Sequence, residues 1–184
     1  MRLRFALTLC CTILGAISLT QPLVQAQAPA AKPPVLSPPA KAEVTVGSAN
    51  ISIDYGAPSM RGRTIFGALV PYGEVWRTGA NPATTFKTTG DLMVGDLKVP
   101  AGNYTLYSLP TASGWKLIVN KQTGQWGTVY NADQDLGRTA MTVGSTPSPV
   151  ETLVIDFDKT VGGKTELHVK WAGVDASVPV TAAK

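Results

Sequence analysis

Cysteine is confined to Cys10 and Cys11, near the start of the chain. Once that end is removed, no disulfide, thiol nucleophile or thiolate metal site is available. Histidine is nearly as scarce, with His168 the single one. No Gly-x-Ser-x-Gly elbow accompanies it, so a Ser-His-Asp hydrolase finds no support. Blocks of like charge are missing too: 16 Lys and Arg stand against 12 Asp and Glu, scattered along the chain. A nucleic-acid binder normally shows a basic stripe, and none is present.

What the chain does have begins with "MRLRFALTLCCTILGAISLTQPLVQAQAPAA". Arg2 and Arg4 precede an apolar run from Phe5 to Thr20, followed by Pro22 and small residues at Val24 and Ala26. This is the pattern of a secretory signal peptide cut before Gln27. The run is shorter than the roughly 20 residues of a spanning helix, so no membrane anchor is expected after processing. Leu9 stands where a lipoprotein site needs a small residue before Cys10. Without Arg2 and Arg4 the balance is 14 bases against 12 acids, a net charge of only +2. Residues 27–41 are rich in Pro and Ala without periodicity and read as an extended spacer. One domain is expected over 42–180, with a tail at 181–184.

From Glu43 onward apolar residues alternate with period two in short runs broken by Gly, Pro, Asn and Asp, as half-buried strands do. The inward sets are Ile51, Ile53 and Tyr55; Trp115, Leu117 and Val119; Leu153, Ile155 and Phe157; Leu167, Val169 and Trp171. "VGDL" at 94–97 and "VGGK" at 161–164 suit tight hairpin turns, because glycine accepts positive φ. No sustained helical period occurs. The predicted fold is all-β: an antiparallel two-sheet β-sandwich, with a closed β-barrel as the alternative.

The densest stretch of chemistry is "PSMRGRTIFGALVPYGEVWRTGAN", residues 58–81. Ile65, Phe66, Leu69 and Val70 must bury, which makes the segment a packed corner. Arg61 and Arg63 project to one side if "RGR" is extended, and their planar forks suit a carboxylate, phosphate or sulfate. Arg77 beside inward Val75 reads as half of an internal ion pair with Asp54, Asp91 or Asp156, and Asn81 before Pro82 as a turn former. Trp115 and Trp171 read as core. Trp76 and Trp126, with Tyr72, Tyr107 and Tyr130, are freer to lie near a surface, where aromatic faces stack on sugars. The candidate ligand-binding set is Arg61, Arg63, Tyr72, Trp76, Arg77, Asn81 and Trp126.

His168 alternates with Leu167 and Val169 and reads as an exposed strand residue. "NADQDLG" offers alternating oxygens at Asn131, Asp133 and Asp135, but Leu136 and Thr142 stand where a calcium loop needs Gly and an acid. It reads as a solvated turn. No metal site, catalytic residue or cofactor is expected.

"GAPSMRGRTIFGALVPYGEVWRTGANPATTF", "VPAGNYTLYSLP", "WKLIVNKQTGQWG" and "PVETLVIDF" together resemble the Domain of Unknown Function 2911 family, from about Ile51 to Val180. The resemblance implies an exported, β-rich bacterial domain and assigns no catalytic residue. The expected role is a non-catalytic binding module for a cell-envelope glycan or an anionic small molecule. The alternatives are a hydrolase acting on envelope glycans through two carboxylates and a structural partner in envelope assembly.

Overall fold

A computed structural model describes residues 36–183. The expected signal peptide at 1–26 and most of the expected spacer at 27–41 lie outside the described residues. Nine strands follow in order: β1 (Pro39–Val46), β2 (Ala49–Gly56), β3 (Thr84–Thr88), β4 (Leu92–Val94), β5 (Leu97–Val99), β6 (Gly102–Thr111), β7 (Gly114–Asn120), β8 (Asp135–Val161) and β9 (Lys164–Ala182). No helix among the described residues is long and apolar enough to cross a membrane.

Every pairing is antiparallel, and the strands form one hydrogen-bonded order, β1-β2-β3-β6-β7-β8-β9-β4-β5. The all-β, antiparallel expectation holds, but one sheet stands where two were expected, and it does not close into a barrel. The reason is the length of β8, at 27 residues. Its first part pairs with β7 through Met141 and the rest pairs with β9 from Thr142 onward. The spacer residues Pro39, Ala40 and Lys41 already belong to β1, opposite Gly56, Tyr55 and Asp54. A proline is tolerated there because it opens an edge strand and owes no ladder hydrogen bond.

The period-two faces meet in one core. Ile51, Ile53, Tyr55, Trp115, Leu117, Val119, Leu153, Ile155, Leu167, Val169 and Trp171 all fall in a single buried cluster, with Phe157 packed at its border. Strand β2 is tied to β8 by a polar bond as well: the Ile155 N–H donates to the buried Tyr55 hydroxyl at 3.0 Å. A second, smaller cluster of Ala83, Tyr107 and Ile118 covers the opposite side of β6 and β7. Tyr107, expected near the surface, is therefore 1% exposed. Its hydroxyl donates to the Val129 carbonyl at 2.9 Å, which ties the 121–134 connection over it.

Two irregularities shape the far half. Pro147 and Pro149 cannot donate to a ladder, and the β8–β9 register breaks between Ser145 and Val150. Opposite this break Ala172 has φ 53, a left-handed value unusual for a residue with a Cβ. There β9 turns back on itself. Seven residues of straight strand span about 23 Å, yet the side chains of His168 and Asp175 are 2.8 Å apart.

Candidate functional site

The 58–81 segment is anchored along its whole length. At its start the Ser59 and Thr152 hydroxyls share a hydrogen bond of 2.8 Å, and the Met60 N–H donates to the Glu151 carbonyl at 2.8 Å. Arg61 and Gly62 then form a tight turn with φ 50 and 70, closed by the Arg63 N–H on the Met60 carbonyl at 3.1 Å. "RGR" is thus a turn rather than an extended run, and its guanidinium groups are occupied by the chain itself. Arg61 Nη2 donates to the Leu36 carbonyl at 2.8 Å, while Arg63 donates from Nε to Met60 at 2.9 Å and from Nη2 to Ser59 at 2.7 Å.

Further on, the segment extends the edge of β6 beyond the end of β3. Trp76 and Ser108 exchange both backbone hydrogen bonds at 2.8 Å. This pairing turns the Trp76 ring into the main core, where it stacks on Trp171 with centroids 5.8 Å apart and meets Phe66 and Trp115 edge-on. Trp76 is therefore half-buried and closes an aromatic cluster, contrary to the surface position expected for it. Val75 packs on the opposite side, against the smaller cluster. Thr78 follows with φ 52, fully buried, its hydroxyl bonded to the Ser108 hydroxyl at 2.8 Å. Thr84 donates to the Thr78 carbonyl at 3.0 Å and fixes this turn from the other side.

Arg77 is held between these two pinned residues. None of the expected partners reaches it: Asp156 holds Lys170, Asp91 accepts from the Ala101 N–H, and Asp54 accepts from Thr85. Among the described residues Arg77 has no ion pair, and its Nε is buried without a hydrogen-bond partner. The physical reason is the alternation itself, which puts Arg77 on the Val75 side, away from the carboxylates it was matched with. Its aliphatic stem lies over Gly127, where a Cβ would overlap Arg77 Cδ and stand 2.7 Å from the Asn81 carbonyl.

Arg77 lines a cleft of about 500 Å³ together with Arg63, Glu74, Trp76, Asn81 and Trp171. Four of the seven candidate binding residues are thus brought together, with the ring of the buried Trp171 at the floor. Asn81 adopts φ 65 and donates weakly to the Ser37 carbonyl at 3.4 Å, so it is a turn former as expected and also a wall of the cleft. Arg61, Tyr72 and Trp126 are not in the lining. Tyr72 is 47% exposed and covers Gly67, and Trp126 is 55% exposed beside Pro82. Sequence reasoning missed Thr78, Ser108 and Thr84, because small hydroxyl residues in a β-rich chain look like ordinary strand formers.

His168 is the largest correction. It is 6% exposed, with Nδ1 on Asp175 at 2.8 Å and Nε2 facing Asp158 at 3.1 Å and Glu166 at 3.8 Å. The turn of β9 at Ala172 covers the outer face of the strand with its own continuation, which no alternation pattern announces. Lys159 and Ser177 both bond the Glu166 carboxylate and hold it below the usual carboxylate range.

The "NADQDLG" stretch is a solvated turn over residues 131–134, which are all exposed, but Asp135 after them is tied in. Asp135 accepts from Asn120 at 2.8 Å, from the Tyr130 hydroxyl at 2.7 Å, and from Arg138 Nε at 3.0 Å and Nη2 at 2.9 Å. Burial and then the bond to Asp135 push the Tyr130 phenol up from its ordinary 10 to about 12. Because the folded value lies above the unfolded one, this group contributes stability that is intact below pH 10 and is lost as pH rises through 12. Urea midpoints measured across that range should fall more steeply for the native protein than for Tyr130→Phe, which has no phenol to titrate.

The chain matches no curated protein and no solved structure. A family model described as "Protein of unknown function (DUF2911)" matches residues 37–180, from just before β1 to within β9, and takes in both the anchored 58–81 segment and the cleft it forms. The protein belongs to the DUF2911 family.

Proposed function

We propose that this protein is an exported, non-catalytic binding module whose cleft takes an anionic ligand, a carboxylate-bearing glycan of the cell envelope. The observation that carries this reading is the buried Nε of Arg77, which has no hydrogen-bond partner among the described residues. A buried guanidinium donor left unpaired is costly, and a ligand carboxylate would satisfy it. Arg63 stands in the same lining, and the half-buried Trp76 offers the part of its ring that Trp171 leaves uncovered for contact with a sugar ring. The signal-peptide pattern at 1–26 supports export, and export brings the domain to envelope glycans. A two-carboxylate hydrolase needs acids on both sides of its cleft, whereas Glu74 is the single acid that the described residues bring to this lining.

The test is calorimetric titration of the purified protein with uronate-containing oligosaccharides, their carboxyl-reduced neutral counterparts, and simple anions. Binding of the uronates alone is expected, with Arg77→Ala weakening it by about 10- to 100-fold, the worth of a charge-assisted hydrogen bond. Arg77→Lys should restore little, since an ammonium lacks the planar fork. A panel without binding, or binding indifferent to Arg77→Ala, would overturn the assignment.

A further inference from the structure

The outer face of β8 and β9 gathers Asp156, Asp158, Glu166 and Asp175 against Lys159 and Lys170. Asp156 is neutralised by Lys170 at 2.9 Å. The remaining three surround His168. Asp158 and Glu166 are direct cross-strand partners, an arrangement that repels unless something positive sits between them.

The imidazole is oriented for that purpose. Its Nδ1 is bonded to Asp175 at 2.8 Å, which leaves Nε2 facing the two carboxylates. Nε2 and Asp158 Oδ1 are 3.1 Å apart, both are shielded from solvent, and neither has a hydrogen-bond partner among the described residues. One ligand atom each from Asp158, Glu166 and His168 lie within 4.8 Å of one another. Two ligands bonded to one zinc ion at about 2.0–2.1 Å and a tetrahedral angle stand about 3.4 Å apart, so small rotations of the two carboxylates complete the set. A carboxylate on the far nitrogen of a metal-binding histidine is the usual device for fixing its tautomer and raising its basicity.

We propose that Asp158, Glu166 and His168 bind a divalent first-row transition cation, zinc foremost, with Asp175 as the positioning residue for the imidazole. The mixed nitrogen and oxygen donors select this class over magnesium and calcium, which prefer all-oxygen surroundings. Three protein ligands leave a further coordination position to solvent. Lys159 competes for the site: its Nζ is 2.6 Å from Glu166 Oε2. Its side chain is 71% exposed and leaves a backbone bulge with φ 50 at Lys159 itself, so it is free to swing away when a cation enters.

The experiment uses the full chain, stripped by chelator dialysis and titrated with zinc chloride, then with cobalt(II) as a spectroscopic probe. Uptake of one zinc per chain is expected, together with the visible absorption of a low-coordinate cobalt(II) centre. Asp158→Asn, at a side chain that is 45% exposed as a whole and which therefore should fold, is expected to abolish stoichiometric uptake. Asp175→Asn should weaken it by about 10- to 100-fold, and Lys159→Ala should strengthen it. Absence of stoichiometric uptake, or uptake undiminished in Asp158→Asn, overturns the proposal.

Discussion

Replacing Trp171 with alanine is expected to lower folding stability by about 3–5 kcal/mol, the range for deleting a large buried aromatic side chain. Trp171 is 2% exposed and stands where three parts of the molecule converge. Its ring stacks on Trp76 from the 58–81 segment and meets Phe66 edge-on at 6.2 Å, and its indole N–H donates to the Glu151 carbonyl on β8 at 3.2 Å. Alanine would leave a cavity beneath the cleft and remove the indole's hydrogen bond to the Glu151 carbonyl, which keeps only the one from the Met60 N–H. The residue also precedes Ala172, whose positive φ needs surrounding packing to hold it. Urea unfolding at 25 °C measures the loss, and Trp126→Ala is the control: that ring is 55% exposed, and a change within about 0.5 kcal/mol is expected. Equal effects from the two substitutions would mean that the aromatic cluster does not hold the segment down.

The contrast between these tryptophans also marks where the sequence was readable. Trp115 and Trp171 lie in phase with apolar neighbours two residues away, and period-two alternation is enough to place them inside. Trp76 lies in a stretch with no run of alternation long enough to orient it. Its position follows from a backbone bridge to Ser108, a residue 32 positions downstream, and a long-range pairing of two isolated residues leaves no local trace. Arg61 and Arg63 fall on one side on the condition that "RGR" is extended, and that condition fails because Arg61 and Gly62 both adopt positive φ. His168 alternates correctly with Leu167 and Val169, so its face was legible. What covers that face was not, because the corner is made at Ala172, a residue type with no preference for left-handed backbone.

The cleft was legible only in outline, and its rigidity comes from close backbone contact that only glycine permits. Gly56 ends β2 against the turn that follows Arg77: the Ala80 N–H donates to the Gly56 carbonyl at 3.1 Å. A Cβ on Gly56 would overlap the Ala80 carbonyl oxygen and come within 3.1 Å of its carbon. Both obstructing atoms are backbone, so no side-chain rotation relieves them, and the turn has little room to retreat, because Thr78 is bonded to Ser108 and Thr84. Gly56→Ala is therefore expected to destabilise the protein by about 1–3 kcal/mol, the range for inserting a methyl into a packed site. It should also weaken uronate binding, since the segment that must move carries Arg77 and Asn81. Gly114→Ala separates the two causes. That glycine sits in the β6–β7 hairpin with open space around its Cβ position and no positive φ, so alanine there should leave stability unchanged or raise it by about 0.4–1 kcal/mol through the unfolded chain. Urea unfolding and ligand titration of the two variants side by side would decide the matter. A Gly56→Ala protein as stable as Gly114→Ala, with binding intact, would show that the Gly56–Ala80 contact yields easily and that the cleft is shaped elsewhere.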